Sequence, residues 1–224
     1  MADPKFKKIL ILVEGQTEER FVKDVLQPHF VSRLIHIEPK ILVTKITNSG
    51  KQFKGGVSTF DKIRTDIRNL LTDSSARMIT TMLDLYGVPK DTPGFSTISS
   101  NLSGRAKAVA IEGAIEQEFN DARFRAYLMV HEFEGMLYSE PAVLPQVLTQ
   151  TGKTSEMQKV RGAFSSPEDI NEGPDTHPSA RISRLFPQYR KGLHGPTALS
   201  RIGLDRLRQE CAHFADWIRL MEQV

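Results

Sequence analysis

Hydrophobic and polar positions along the first 140 residues alternate between two kinds of segment. Strand-like segments, apolar or β-branched, cover residues 9–13, 40–47, 78–83 and 125–130. Between them, apolar residues recur at helical spacing over residues 17–26, 60–71 and 106–119. Continuous apolar runs are typical of strands that are covered on both faces. The alternating order predicts parallel strands joined by right-handed helical crossovers.

The pattern changes after about residue 137, where prolines separate short helical segments. From Leu204 to Met221, apolar side chains again follow one helix face. We therefore expect an α/β fold. An open, mostly parallel sheet of about four strands flanked by helices would occupy residues 1–140, and a helical C-terminal extension, residues 141–224, would pack on this core. The pattern also predicts that residues 27–30 end the first helix.

Three of the predicted strands lead into acidic residues. Glu14 follows the first strand, Asp84 follows the third, and His131, Glu132 and Glu134 follow the fourth. Parallel strands place these turns at one edge of the sheet, where α/β proteins bind ligands. Carboxylates there could hold Mg²⁺ or Mn²⁺ for phosphoester chemistry. We predict Glu14, Asp84 and Glu134 as metal ligands, and all five residues as catalytic candidates.

Each of these residues also has a structural interpretation. An acid after a strand is often a helix cap or a salt-bridge partner, and a histidine there often only hydrogen-bonds a neighbour. Glu132 and Glu134 would point the same way on a strand, whereas a helical turn would separate them. Tyr86 is expected to be a packing residue, and Glu112, Glu116 and Glu118 are expected to be solvated.

The residues around Glu14 also carry a family resemblance. An apolar strand followed by Glu14-Gly15, one residue and Thr17-Glu18 resembles the first motif of Toprim domains. These domains occur in topoisomerases, primases and several nucleases, where the glutamate takes part in divalent-metal phosphoester chemistry. The resemblance covers about residues 7–135 and implies a Toprim-like sheet. The usual second motif is Asp-x-Asp, whereas this chain has Asp84-Leu85-Tyr86, so one expected metal ligand is missing.

The whole chain is similar to a bacterial family of unknown function with a Toprim-like core. The similarity rests on Asp-x-Tyr-Gly at residues 84–87, His-Glu-Phe-Glu at residues 131–134, and the tail segments 167–171, 178–182, 194–205 and 211–214. It implies a relation to Toprim effectors of phage defence, some of which are nucleases. It also implies nucleic acid as a partner, and a partner protein such as an ATPase.

The C-terminal part of the chain is basic. Residues 178–210 hold seven Lys or Arg residues against two acids. Arginine and lysine suit phosphate, so we predict Ser179, Arg181, Lys191 and His194 as contacts to a phosphate backbone. The alternative is a solvated positive face. Residues 48–57, which are rich in glycine and lysine, form either a flexible connection or a basic lid over phosphates.

The amino-acid composition limits the cellular compartment and the kinds of site that we expect. The net charge of +3 and the pI of about 9.0 permit a nucleic-acid partner without requiring one. A single cysteine, Cys211, excludes an internal disulfide framework and a cysteine-rich zinc site, and it is expected to be a buried core thiol. The start of the chain lacks the form of a signal peptide, and its apolar run is too short to cross a bilayer. We expect a cytoplasmic protein without a membrane partner.

Three functions compete on these grounds. The first is a Toprim-like nuclease or phosphodiesterase that uses Mg²⁺ or Mn²⁺ on DNA or RNA, with a role in phage defence implied by the resemblance. The second is a non-catalytic module that binds nucleic acid or protein, and the missing second aspartate favours it. The third is a phosphatase or phosphotransfer enzyme acting on small phosphates. The sequence leaves the substrate and the oligomeric state open.

Overall fold

The computed structural model describes residues 6–42, 59–99, 101–170, 173 and 175–224. The glycine- and lysine-rich segment 48–57 and the second half of the predicted strand 40–47 lie outside the described residues, so the prediction of a basic lid has no test here.

A five-stranded sheet forms the centre of the fold, and its described pairings are all parallel. Its strands are β1 (Lys7–Val13), β2 (Ile35–Ile41), β3 (Ala76–Asp84), β4 (Phe124–Arg125) and β5 (Leu128–Met129). The order is β2-β1-β3-β4, and β5 pairs with β3 further along that strand. The predicted α/β class with a mostly parallel sheet is confirmed. The carboxyl ends of β1 and β3, the two central strands, lie side by side.

Helices surround the sheet. Those before β4 are α1 (Gln16–Phe21), α2 (Gln27–Val31), α3 (Phe60–Leu71) and α4 (Gly104–Phe119). Those after β5 are α5 (Val143–Val147), α6 (Thr154–Gly162), α7 (Pro178–Leu185), α8 (Lys191–Ile202), α9 (Leu204–Glu210) and α10 (Ala212–Glu222). None of the described helices combines the length and the apolar composition that crossing a membrane requires.

Side chains of β1 divide between two cores because successive residues of a strand face opposite ways. Ile9 and Ile11 pack with α1 and with the C-terminal helices, including Phe214 of α10. Leu10 and Leu12 pack in a separate cluster with α3 and α4. The C-terminal helices therefore cover one face of the sheet and share its core, and the boundary near residue 140 stays a prediction. Cys211 is fully buried in that core, as expected.

Three local predictions were wrong. The first helix does not end at residues 27–30, because a π-helical turn, Val22–Leu26, leads directly into α2. This wider turn contains the residue four positions before Pro28, where a proline ring would clash with a regular helix. Strand β2 begins at Ile35, five residues earlier than predicted. The strand predicted over residues 125–130 consists of two short pieces, β4 and β5.

Candidate active site

Glu14 and Asp84 meet at the carboxyl edge of the sheet. Val13 pairs with Met82 in the parallel register of β1 and β3, so the two strands end at the same level. The backbone N–H of Asp84 donates to Glu14 Oε1 at 2.8 Å. Gly87 permits this approach, because a Cβ atom there would lie 2.8 Å from the same oxygen. The structure thus brings together the two acids that the sequence placed at this edge.

Two further carboxylates lie around Lys191, the first residue of α8. The Nζ atom of Lys191 lies 3.4 Å from Glu134 Oε2, 3.5 Å from Glu18 Oε1 and 3.7 Å from Asp84 Oδ2. Helix α8 begins against α1, since a Cβ atom at Gly192 would lie 3.6 Å from the hydroxyl oxygen of Thr17. We call Glu14, Glu18, Asp84, Glu134 and Lys191 the acidic cluster.

The acidic cluster holds one ammonium group against four carboxyl groups. Glu18, Asp84 and Glu134 are buried, with residue exposures of 3%, 7% and 2%. Burial raises the pKa of Asp84 well above its ordinary value, and the neighbouring Glu14 raises it further. Burial likewise raises the pKa values of Glu14 and Glu134. One ammonium balances one carboxylate, so when the four acids are ionised their negative charge is only partly compensated.

Lys191 responds in the opposite sense. Its burial lowers the pKa of the ammonium, but the surrounding carboxylates, Asp84 first, outweigh that effect and raise the pKa overall. The side chain is 40% exposed, and its ammonium lies 5.7 Å from the centre of the Phe133 ring. Lys191 is consequently a permanent positive charge at the rim of the cluster.

The donor chemistry of the cluster fits a hard divalent cation. Carboxylate oxygens are the ligands that Mg²⁺ and Mn²⁺ prefer, and Glu18 Oε1 is buried without a hydrogen-bond partner among the described residues. Within the described part of the chain, no group of three or more Asp, Glu, His or Cys side chains already has the closeness of a ligand set. The ammonium of Lys191 lies among the carboxylates instead. The carboxylates thus have the chemical type and the charge that a divalent cation requires. Their positions, however, are those of groups arranged around the ammonium of Lys191.

Glu132 belongs to a different group of residues. A 3₁₀ segment, Phe133–Ser139, begins immediately after it, so Glu132 and Glu134 do not point the same way. Glu132 accepts hydrogen bonds from the backbone N–H of Ser179 at 3.0 Å and from its hydroxyl at 3.1 Å. Its other neighbour is His177, whose Nδ1 atom is 3.0 Å from Glu132 Oε2. Glu132 thereby anchors the first turn of α7.

His131 lies apart from the described contacts of the acidic cluster. Its φ of +69° is in the left-handed region, and its ring packs against the start of α4. A Cβ atom at Gly104 would lie 2.6 Å from the His131 ring, so a larger residue there would displace the ring. Burial lowers the pKa of His131 and favours the neutral imidazole at neutral pH. The Tyr86 ring, centred 6.2 Å away, is 53% exposed and is not the packing residue that the sequence predicted.

The predicted phosphate contacts of the tail lie in different places. Lys191 is in the acidic cluster, and Ser179 bonds Glu132. The guanidinium of Arg181 bonds the backbone oxygen of Thr176. His194 Nδ1 accepts from the backbone N–H of Arg190 at 2.9 Å, and burial lowers the pKa of His194. A shared phosphate surface of these four residues stays a prediction.

Sequence reasoning missed Glu18, His177 and Tyr189. Glu18 was part of the motif around Glu14 but not a candidate site residue, yet it is buried in the acidic cluster. The buried hydroxyl of Tyr189 has no hydrogen-bond partner in the part of the chain that the structure describes, and burial together with Glu134 raises the pKa of Tyr189. His177 follows residues rich in turn formers. Only its place immediately before Pro178, the first residue of α7, could have marked it as a helix cap.

The fold and this edge define the class of the chain: an α/β protein with a parallel sheet and a candidate acidic site at the carboxyl ends of its central strands. The chain belongs to the family described as a domain of unknown function, DUF4276, whose profile matches residues 13–222. No curated protein matches the sequence.

Two solved structures are similar in fold, and both are of the C-terminal region of the OLD protein from Xanthomonas campestris pv. campestris. The structure phased with platinum is 14% identical, with a TM-score of 0.42, over 97% of this chain and 96% of that one. The structure phased with iodine is 16% identical, with a TM-score of 0.37, over 98% and 99%. These values are too low to transfer residue roles, and the Toprim-like core stays a prediction.

Proposed function

We propose that this chain is a divalent-cation-dependent phosphodiester hydrolase that acts on DNA or RNA. The observation that carries the proposal is the meeting of four carboxylates and one ammonium at the carboxyl edge of a parallel sheet. Buried groups whose pKa values are strongly shifted, gathered at an edge where such folds bind ligands, are characteristic of active sites. The excess of negative charge favours a cation over an anion.

In this proposal Glu14, Asp84 and Glu134 hold Mg²⁺ or Mn²⁺, and Glu18 completes the acidic wall. A bound cation of this kind supplies charge neutralisation for a phosphoryl oxygen and an activated water. Lys191 binds a non-bridging phosphate oxygen, because its flexible side chain is partly exposed and permanently charged. From one position, its ammonium would thereby pair with the carboxylates of the cluster and with a phosphate of the substrate.

Glu14 has an alternative role, that of proton carrier, which it would take in place of cation binding because a carboxyl group that holds a proton does not bind the cation. Its Oε1 atom already accepts from the backbone N–H of Asp84, so Oε2 is the oxygen that would hold a proton. Burial raises the pKa of Glu14, which favours the protonated form nearer to neutral pH. A carboxyl group in that state can give its proton to the leaving oxygen of a cleaved phosphodiester. His131 and Glu132 act as supporting residues, His131 beside Tyr86 and Glu132 by fixing α7.

The wider context of the proposal comes from the family resemblance. A role in phage defence, a nucleic-acid substrate and a partner protein such as an ATPase are the properties that a Toprim effector would have. The basic segment, residues 178–210, would supply the phosphate contacts at the rim. We propose a cytoplasmic setting on the same basis.

The decisive experiment measures cleavage of single- and double-stranded DNA and of RNA with Mg²⁺, with Mn²⁺ and with EDTA. We expect cation-dependent cleavage that Glu14→Gln and Asp84→Asn each reduce by at least about 100-fold. Asp61→Asn is the matched control, because Asp61 has a 78% exposed side chain on α3. Cleavage that persists at wild-type rate in a folded Asp84→Asn variant would remove the proposal. Turnover of small phosphoesters alone would move the activity to a phosphatase.

A second candidate function is a non-catalytic nucleic-acid or protein-binding module. The position of Lys191 favours it, because an ammonium among three carboxylates compensates part of the charge without a metal. This function predicts nucleic-acid binding that weakens steeply with salt and is the same in Mg²⁺ and in EDTA. Isothermal titration with Mn²⁺ alone separates the two: the hydrolase binds the ion, and the module does not.

A further inference from the structure

A cavity of about 630 Å³ opens beside the acidic cluster. This volume is within the range of roughly 300 to 1,000 Å³ that small-molecule sites occupy. Its apolar wall consists of Phe95, Ile98, Leu102 and Ile111, and Leu102 is 40% exposed at the mouth. The cavity therefore offers flat apolar surface that water can reach.

Polar groups line the other side of the same cavity. They are Ser99, Ser103, Lys107, His131 and Asp169. Ser103 and Lys107 belong to the first turns of α4, whose amino end carries positive partial charge. The neutral form of His131, which burial favours, has one nitrogen that donates a hydrogen bond and one that accepts. An apolar wall combined with donors and acceptors suits a heteroaromatic ring, which has apolar faces and polar atoms at its edge.

Residues that line the cavity lie next to residues of the acidic cluster in the chain. Leu85 and Tyr86 line it, and they follow Asp84 directly in the chain. His131 lines it three residues before Glu134, and the His131 carbonyl accepts from the Tyr86 backbone N–H at 3.4 Å. The two strand ends that carry the acids therefore also carry the cavity wall. A phosphate at the acids would place an attached nucleoside near this opening.

Tyr86 stands at this junction. Its ring is 53% exposed, and the rings of His131 and His177 each lie 6.2 Å from its centre. An exposed aromatic ring is a usual platform for an unpaired base, because every base has a flat face that can stack.

From this arrangement we infer that the cavity receives one unpaired nucleobase of a single-stranded nucleic acid, stacked on Tyr86, next to the phosphodiester at the acidic cluster. The inference rests on the nucleic-acid part of the proposed function and adds a strand preference to it. The chain should favour single-stranded over double-stranded substrate, since a paired base cannot enter the cavity. The edge contacts of His131 and the serines would then select among bases.

Fluorescence titration with 2-aminopurine tests the inference. Single-stranded oligonucleotides carry this base at successive positions, and a matched set carries an abasic site there instead. Titrations in EDTA measure binding without cleavage. We expect quenching of 2-aminopurine at one position and binding about 5- to 100-fold weaker when that position is abasic. Tyr86→Ala should weaken binding of the intact oligonucleotide by the same factor, and Tyr86→Phe should change it by less than about twofold.

Two further variants keep the test independent of folding. Phe6→Ala removes an aromatic ring that is 48% exposed at the opposite end of β1, and it should leave quenching and affinity unchanged. Leu102→Trp fills the mouth of the cavity and should weaken binding without removing any hydrogen bond. Equal affinity for intact and abasic oligonucleotides, or wild-type affinity in Tyr86→Ala, would overturn the inference.

Failure of the inference can be told apart from failure of the hydrolase proposal. If the wild-type chain cuts abasic and intact strands equally well, the cavity has no base and the hydrolase stands. If it cuts nothing under any cation while Tyr86-dependent quenching persists, the base site stands and the hydrolase falls. The Asp61→Asn variant should quench 2-aminopurine like the wild type, because Asp61 is exposed on α3 and does not line the cavity.

Discussion

Lys191→Met is the sharpest perturbation of the acidic cluster. Methionine keeps much of the length and the apolar volume of the lysine stem, but it removes the only ammonium within 4 Å of Glu18, Asp84 and Glu134 among the described residues. The remaining carboxylates then repel one another in a buried site. We expect the variant to be less stable than the wild type in cation-free buffer, with a loss that grows with pH.

The magnitude follows from burial. Removing one partner of a fully buried ion pair costs about 3 to 5 kcal/mol. The Lys191 side chain is 40% exposed, so solvent screens it and we expect about 2 to 3 kcal/mol at pH 8. For a chain of this length that loss lowers the melting temperature by roughly 5 to 10 °C.

The pH dependence has a definite sign. The pKa of Lys191 is raised, so lysine is charged in the folded and unfolded wild-type chain throughout pH 5 to 8 and adds no slope there. The acids determine the slope. Burial raises the pKa values of Asp84 and Glu134 in the folded chain, so these acids reduce stability as pH rises from their ordinary pKa values up to the raised ones. At pH 5 the variant can protonate these acids and should lose less stability than at pH 8.

Thermal unfolding followed by circular dichroism at pH 5 and pH 8, with EDTA and with Mg²⁺, measures these effects. The control is Lys159→Met, an exposed lysine in the last turn of α6, which should change stability by no more than about 0.5 kcal/mol. Mg²⁺ should recover stability in Lys191→Met at pH 8 because it replaces the lost positive charge. An equal loss at both pH values, or no loss at pH 8, would refute the account of the cluster as overcharged.

Two further predictions concern buried acids. Asp84→Asn keeps the Oδ1 acceptor that bonds the Phe133 backbone N–H at 2.9 Å, and it removes a carboxylate charge whose burial is unfavourable. In EDTA it should therefore raise the melting temperature by roughly 2 to 4 °C at pH 8 and leave it unchanged at pH 4. A lower melting temperature at pH 8 would contradict this expectation. Glu112→Ala removes the carboxylate that contacts the Leu128 N–H and the His213 ring. It should lower the free energy of unfolding, measured in urea, by about 2 to 4 kcal/mol. The control Glu118→Ala, on the same helix, should lower it by less than about 1 kcal/mol.

Much of the fold could be predicted because it depends on local patterns. The apolar run of residues 9–13 is long enough to identify a buried central strand, and the helical spacing of residues 60–71 matches α3 to the residue. The meeting of Glu14 and Asp84 followed from topology alone, since parallel neighbours end at one edge. These inferences required only local sequence patterns and the general rules of parallel-sheet topology.

The rest of the site depends on long-range packing, which single-sequence patterns do not encode. Glu18 is buried only because α8, more than 170 residues later in the chain, lies against α1. Glu112 was expected in solvent, yet it is buried because α10 brings His213 to it at 2.8 Å. Glu132 and Glu134 separate because a 3₁₀ turn begins between them, a change that one residue of backbone geometry decides.

Buried carboxylates elsewhere in the chain show what a purely structural acid looks like. Both oxygens of Glu168 accept backbone N–H groups, from His213 at 3.0 Å and from Phe214 at 2.9 Å. Glu112 Oε1 accepts from the Leu128 N–H and contacts the His213 ring. These acids are buried among donors that match them, as burial of a charge requires.

The acidic cluster follows a different rule. No described residue donates a hydrogen bond to the buried Glu18 Oε1, and its nearest described cation, the ammonium of Lys191, is shared with Asp84 and Glu134. Glu168 is buried with matched donors, whereas the carboxylates of the acidic cluster are buried with too little positive charge around them. They lie at the edge where the two central strands end. Such a deficit destabilises the empty site and gives an arriving cation its affinity, so the same imbalance accounts for the expected loss in Lys191→Met and for the proposed activity.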